Sequence, residues 1–285
     1  MKRRVIAIAS IVAVTIAPAG PPLARVPFAW TPGQIEVAVR VNGTPATFLL
    51  DTGAEYSVVS SRLAALLGLA TEKSGSREFA DNVTLRLKGV DLPHQRVMVM
   101  PFDGYYARGR TIDGLVGYDL FSRFTVKIDF KGRELAIWEP SAFTPPKGAV
   151  SVPVEFAGRL ALVPSVLTLE TGKSLNARLM VDTGASQAVI LRYPFATEHD
   201  LFDLGGAPST APSLASGMRK LTEISMQKVT LAKWSFDRPR VQAYAEPVGS
   251  GAYTASDGVI GNDLLARFTL FVDYPRKRLL LQPRR

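Results

Sequence analysis

The sequence predicts an all-β molecule of two similar lobes that meet at a pseudo-two-fold axis, with a cleft between them. Three observations predict it. Asp-Thr-Gly-Ala occurs twice, at 51–54 and 182–185, each time straight after an apolar run, Phe48-Leu49-Leu50 and Leu179-Met180-Val181. Asp-Gly-x-x-Gly also occurs twice: the segments Asp113 to Asp129 and Asp257 to Asp273 align without gaps, with 9 of 17 positions identical. The rest is short runs with apolar residues at every second position, parted by Gly, Pro and Asn, which is the pattern of strands. A single Asp-Thr-Gly would be an ordinary turn, because a given tripeptide arises by chance in roughly one chain in twenty of this length. Two in the same apolar context mark a duplication.

The elements follow in order. Lys2, Arg3 and Arg4 precede the 13-residue apolar run Val5 to Ala17, and Ala17-Pro18-Ala19 has the small-x-small form of a cleavage site. Residues 1–24 therefore read as an export signal, with Pro22-Leu23-Ala24 a second cleavage choice; an uncleaved anchor is the other reading. Val26 to Pro32 is a lead-in. Gln34 to Val41 alternates, Asn42-Gly43 turns the chain as a hairpin, and Ala46 to Leu50 carries it back to Asp51. Tyr56 to Val59 is a short strand, and Ser60 or Ser61 caps a helix from Arg62 to Leu67 that Gly68 ends. Thr84 to Val90 and Arg96 to Met100 are strands, and 101–110 is an aromatic, basic loop. Gly114 to Gly117 is a buried strand between glycines, Asp119 caps a helix from Leu120 to Phe124, and Thr125 to Phe130 and Glu134 to Trp138 are strands.

A first lobe is thus expected over 25–140, a linker over 141–150 around Pro145-Pro146, and a second lobe over 151–285. The second lobe repeats the order, with strands at Val152 to Val154, Leu160 to Leu169, Leu175 to Val181 and Ala188 to Leu191. It is also longer. The Asp-Thr-Gly copies lie 131 residues apart and the Asp-Gly-x-x-Gly copies 144, an excess of 13 that falls on Gly205 to Gly217, a Gly/Ala/Pro/Ser stretch expected to be a mobile loop.

Composition narrows the chemistry. With 47% apolar residues in 285 the chain can bury a core. It has no cysteine and two histidines, His94 and His199, so a thiolate metal site or disulfide framework is excluded and a zinc site is not expected. No Gly-x-Ser-x-Gly occurs, which argues against a serine hydrolase. The formal charge of +9, +6 once the three signal cations leave, is scattered; its densest cluster, Arg276 to Arg278 with Arg284-Arg285, reads as the solvated edge of a strand rather than a nucleic-acid surface. What a pair of acidic turns can do is form a carboxylate dyad, in which two acids share one proton and activate a water.

With these motifs the chain resembles the pepsin and retropepsin clan of aspartic peptidases, most closely the bacterial retropepsin-like proteins, with two Asp-Thr-Gly units in one polypeptide. The resemblance covers about residues 33 to 283. It implies a bilobed acid-protease fold of two β-barrel lobes, with Asp51 and Asp182 as the catalytic acids. Thr52 and Thr183 would cross-brace the turns, Gly53 and Gly184 would let amides approach the carboxylates, and Leu115-Val116-Gly117 and Val259-Ile260-Gly261 would pack behind them. Ala54, Glu55, Ala185 and Ser186 would line the substrate. Glu55 departs from its counterpart Ser186: it either works near substrate, as an acid does in retroviral relatives, or pairs with an arginine such as Arg62. Ala54 and Ala185 stand where pepsins carry a hydroxyl, which makes the dyad less acidic and predicts an optimum of about pH 4 to 6.5. Flap candidates are Glu72 to Leu87 and the 205–217 loop; plain surface loops are the other reading of both.

The reading that results is an exported aspartic endopeptidase, periplasmic or secreted, acting as a monomer on peptide or unfolded protein. It needs no cofactor, metal or nucleic acid and has no stable membrane insertion after signal cleavage. A catalytically slow peptide-binding protein that keeps the fold is the alternative, and pairing of each half with a neighbour's half is a third possibility.

Overall fold

A computed structural model describes residues 20–284 apart from 32, 103–108, 214–216, 248 and 250–252. The proposed signal through residue 19 and most of the 101–110 loop lie outside these.

Alternation becomes burial. In the strand Gln34–Val41 the residues Ile35, Val37, Val39 and Val41 are buried while Glu36, Ala38 and Arg40 face outward. Asn42 and Gly43 both take positive φ, as the two-residue turn requires, and Val41 pairs with Thr44 at the start of Thr44–Leu50. That strand lies parallel to Gly114–Val116, which pairs antiparallel with Val58–Ser60, itself parallel to Val90–Met100. The second half repeats the arrangement strand for strand: Ser174–Val181 lies parallel to Gly258–Ile260, which pairs antiparallel with Val189–Leu191, itself parallel to Val241–Tyr244. Helices are short. Ser61–Leu66 is capped by the Ser60 hydroxyl, which accepts from the Leu63 N–H at 3.1 Å.

A six-stranded run joins the halves, in the order Val150–Pro153, Arg278–Pro283, Phe268–Asp273, Thr125–Asp129, Glu134–Trp138, Ala24–Thr31. Its two middle strands are the two copies of the duplicated segment. Leu270 pairs with Ile128, Phe271 with Lys127 and Val272 with Val126, and since Leu270 corresponds to Val126 and Val272 to Ile128, the register is its own mirror about the axis. The expected all-β, bilobed fold is therefore the observed one, and one apolar core cluster spans both halves.

Three expectations are corrected. Val26 to Pro32 is not a loose lead-in, because Ala24–Thr31 is a strand that pairs with Glu134–Trp138 through Pro27 and with Gln34–Val41 from Phe28 onward. Asp119 does not cap its helix from outside; it lies in the first turn of Tyr118–Phe121, and its carboxylate accepts from the Ser57 N–H at 2.7 Å. The stretch 205–217 is not a plain loop either. Pro208–Ser213 pairs with Gly217–Ile224, and Pro208 and Pro212 are tolerated because this strand lies at the edge of its sheet.

Candidate active site

Each Asp-Thr-Gly begins where its strand ends. The Asp51 N–H donates to the Val116 carbonyl at 2.9 Å and the Asp182 N–H to the Ile260 carbonyl at 3.1 Å, so the repeated apolar-apolar-Gly strand fixes where the acid leaves the sheet. The glycines that follow are sterically required. A Cβ on Gly117 would lie 2.7 Å from the Ala54 carbonyl oxygen, and one on Gly261 would lie 2.4 Å from that of Gln187.

The turns are locked to each other by four bonds. The Thr52 and Thr183 N–H groups each donate to the other's hydroxyl, at 3.1 and 3.0 Å, and the hydroxyls donate onward to the Val181 and Leu50 carbonyls at 2.8 and 2.9 Å. Both threonines are buried, so every donor and acceptor of the brace is satisfied inside the protein. This crossing brings each glycine under the opposite acid: a Cβ on Gly184 would sit 2.6 Å from Asp51 Cγ, and one on Gly53 would sit 2.8 Å from Asp182 Cγ.

Asp51 and Asp182 lie deep in the molecule, keep a partly accessible edge, and share a hydrogen bond. Burial, the Asp182 charge and that hydrogen bond hold Asp51 well above the usual carboxylate range, against the Gly53 and Ala54 amides. Burial raises Asp182 too. There the opposing forces are the hydrogen bond from Asp51, the Gly184 and Ala185 amides, which reach Asp182 Oδ1 at 2.8 and 3.1 Å, and the nearby Arg192 cation. Both carboxyls are thus raised and the pair holds one shared proton, with the Arg192 cation on the Asp182 side.

Each turn is also buttressed from the opposite half. Gln34 donates to the Gly184 carbonyl at 3.3 Å, with Gly33 packed against Ser186; Arg159 donates to the Glu55 carbonyl at 3.2 Å, with Gly158 beside the Glu55 carboxylate. The Glu55 carboxylate pairs with Arg77 at 3.2 Å, whereas Arg62 pairs with Asp113. Arg77 opens the long arm of the hairpin Thr71–Ser74 and Arg77–Leu87, whose tip is Gly75-Ser76, so the first flap candidate is a hairpin tied to the first active turn. Ala54 and Ala185 place methyl groups against Gly117 and Gly261, and Ser186 is exposed.

Sequence reasoning missed four supporting side chains. Asn262 donates to the Thr183 and Gly33 carbonyls at 2.6 and 2.8 Å, and the buried Tyr274 hydroxyl lies 3.5 Å from the Thr52 carbonyl, kept protonated by burial. Arg159 and the buried Arg192 are the others. Asn262 was findable, since it follows Gly261 directly in the repeated motif; the other three carry no motif. Among the described residues no group of three or more His, Cys, Asp or Glu is placed to hold a metal ion.

A family model described as "Aspartyl protease" matches residues 37–120, which contain the first turn and its Gly117 strand. No curated protein matches the chain. Among solved structures, the fold is similar to that of the aspartic proteinase from Irpex lacteus, with a TM-score of 0.56 and 16% identity over 91% of this chain and 97% of that one. The fold is thus that of a pepsin-like aspartic proteinase, and the family match falls on the half of the chain that carries Asp51.

Proposed function

We propose that the chain is an exported aspartic endopeptidase. The observation that carries the reading is the crossing of the two Asp-Thr-Gly turns, which sets two carboxyls, both raised by burial, against one another. Of Asp51 and Asp182, the ionised partner takes a proton from a water held between them as that water attacks the scissile carbonyl carbon, and the protonated partner donates to the oxygen that develops charge. The resulting tetrahedral diol collapses as the leaving amine is protonated. A monomer suffices, because one chain holds both acids and the residues that brace them.

The substrate class is peptide or unfolded protein, bound extended across the dyad beneath the Thr71–Leu87 hairpin. Export is proposed to remove residues 1–19. That cut leaves the Ala24–Thr31 strand whole, together with the contact of the Trp138 indole N–H to the Gly20 carbonyl at 2.9 Å. The mature protein would then work in a periplasm or outside the cell.

The test is digestion of an unfolded protein mixture by the purified mature chain across a pH series. Asp51→Asn and Asp182→Asn are each expected to lower kcat/KM by at least about a thousandfold. Equal cleavage by either variant sinks the assignment. A wild type that binds peptides without cutting them leaves the peptide-binding alternative in its place.

A further inference from the structure

The duplication allows the two walls of the cleft to be compared position by position, and they differ in chemistry. Beside the Asp51 turn, Leu49, Val58, Phe102, Ile112 and Leu115 form one buried apolar cluster, with Ala54, Met98 and Met100 packed against it. Strand pairing gives the counterparts beside Asp182. Val58 pairs with Leu115 as Ile190 pairs with Val259, and Met98 faces Val58 as Gln242 faces Ile190. On this register Ile112 becomes Ser256, Met98 becomes Gln242, Met100 becomes Tyr244 and the small Ser60 becomes Arg192. Leu49, Val58 and Leu115 stay apolar as Met180, Ile190 and Val259, so the two sides differ at these four positions, which are polar or cationic beside Asp182.

The cations are built in. Arg192 is 4% exposed, which is rare for arginine, and its guanidinium lies 5.6 Å from the ring centres of both Tyr244 and Tyr253, with Nε 3.3 Å from the Ser256 hydroxyl. Tyr253 packs against the cluster of Leu160, Leu162, Met180 and Val259, as does Ala185 of the second active turn. Arg219 stands on the inner face of the strand Gly217–Ile224, two residues before buried Leu221. Its guanidinium lies 5.4 Å from the Tyr244 ring centre, and its Nε is buried without a hydrogen-bond partner among the described residues. Of the nearby acids, Asp182 faces Arg192, while Glu246 is engaged by Lys220 and Glu223 by Arg240. A buried, unsatisfied guanidinium N–H is costly unless a ligand acceptor completes it.

We propose that this side is a carboxylate-binding subsite: Arg219, with the buried Arg192 cation behind the same tyrosine, receives an acidic group of the peptide on one side of the scissile bond. The inference rests on the peptidase reading above. The carboxylate is supplied either by an internal Asp or Glu side chain or by the terminus of the substrate.

Matched peptides carrying Glu or Gln at each position around the cut, with free or amidated C-termini, separate these sources. Cleavage is expected to be about tenfold faster in kcat/KM for the carboxylate form, at one position only. Arg219→Gln is expected to bring the Glu-to-Gln ratio close to one. The ratio rather than the absolute rate is the readout, so a general loss of activity does not imitate the effect. Cleavage with no carboxylate preference, or a preference that survives Arg219→Gln, overturns the subsite and leaves the peptidase standing. If the wild type cuts nothing, the peptidase reading fails by itself, and fluorescence anisotropy of the same labelled peptides decides the subsite: tighter binding of the carboxylate form supports it, and equal binding overturns it.

Discussion

At the scale of single residues, the two acids are alike in sequence and unlike in setting. Burial and the facing Asp182 charge raise Asp51, so the folded protein binds a proton there more tightly than the unfolded chain does. A carboxyl raised on folding contributes its full stability only below the unfolded carboxylate range, and that contribution is lost as pH rises through the folded value. Asp51→Asn keeps the shape and the acceptor for the Gly53 N–H but cannot ionise. It is therefore expected to be more stable than wild type at neutral pH, by about 1 kcal/mol, with the gain disappearing below about pH 3. Urea unfolding of both proteins across pH measures this, and an equal gain at pH 3 and pH 7 contradicts it. The acids, threonines and glycines of the site were legible in the sequence because each has a duplicate in the same context. Arg192 was not, because its counterpart is Ser60, and only the strand register reveals that the two positions correspond.

Among the elements, the hairpin Thr71–Leu87 is tied to the first active turn through Arg77 and Glu55, an ion pair with half of the arginine side chain exposed. Such a pair contributes under about 1 kcal/mol to folding, yet it sets where the hairpin rests relative to Asp51. Arg77→Ala is accordingly expected to change stability by less than about 0.5 kcal/mol while raising KM severalfold. Unfolding and steady-state kinetics on one preparation give both numbers, and an unchanged KM removes the hairpin from substrate binding. Local signals found the hairpin at Asn42-Gly43 and the helix behind Ser60, where one turn or one cap decides the structure. They failed where a tertiary neighbour decides. Pro27 marks the residue at which Ala24–Thr31 changes partners, and Pro208 and Pro212 lie on an edge strand; in both places the missing N–H does no harm that a sequence alone could foresee.

At the scale of the whole molecule, the sequence divides into two lobes and a linker, while the hydrogen bonds divide it differently. Period-two patterns state which face of a strand is buried but not which strand lies beside it. So the pairing of Thr125–Asp129 with Phe268–Asp273 across the axis, and of Val150–Pro153 from the expected linker with Arg278–Pro283, could not be read in advance. Phe143, inside the same expected linker, is buried among Trp138, Phe271 and Leu280. The lobes thus share a sheet, and at its centre Asp273 is fully buried, accepting from the Thr125 hydroxyl at 2.9 Å and Arg278 Nε at 2.7 Å, with Arg276 at 3.4 Å. Its counterpart Asp129 is about a quarter exposed and is served by Lys127 and the Gly132 N–H. Removing the buried acid leaves Arg278 and the Thr125 hydroxyl without their acceptor at the seam between the lobes, while Arg276 keeps its bond to the Pro140 carbonyl. Asp273→Ala is therefore expected to cost about 3 kcal/mol, a fall in Tm of roughly 6 to 12 °C. Because the seam is part of both lobes, the loss should appear as one shifted transition, with tryptophan fluorescence and far-UV circular dichroism coinciding. Two separate transitions in the variant, one at the wild-type temperature, would show instead that the lobes fold independently of the sheet that joins them.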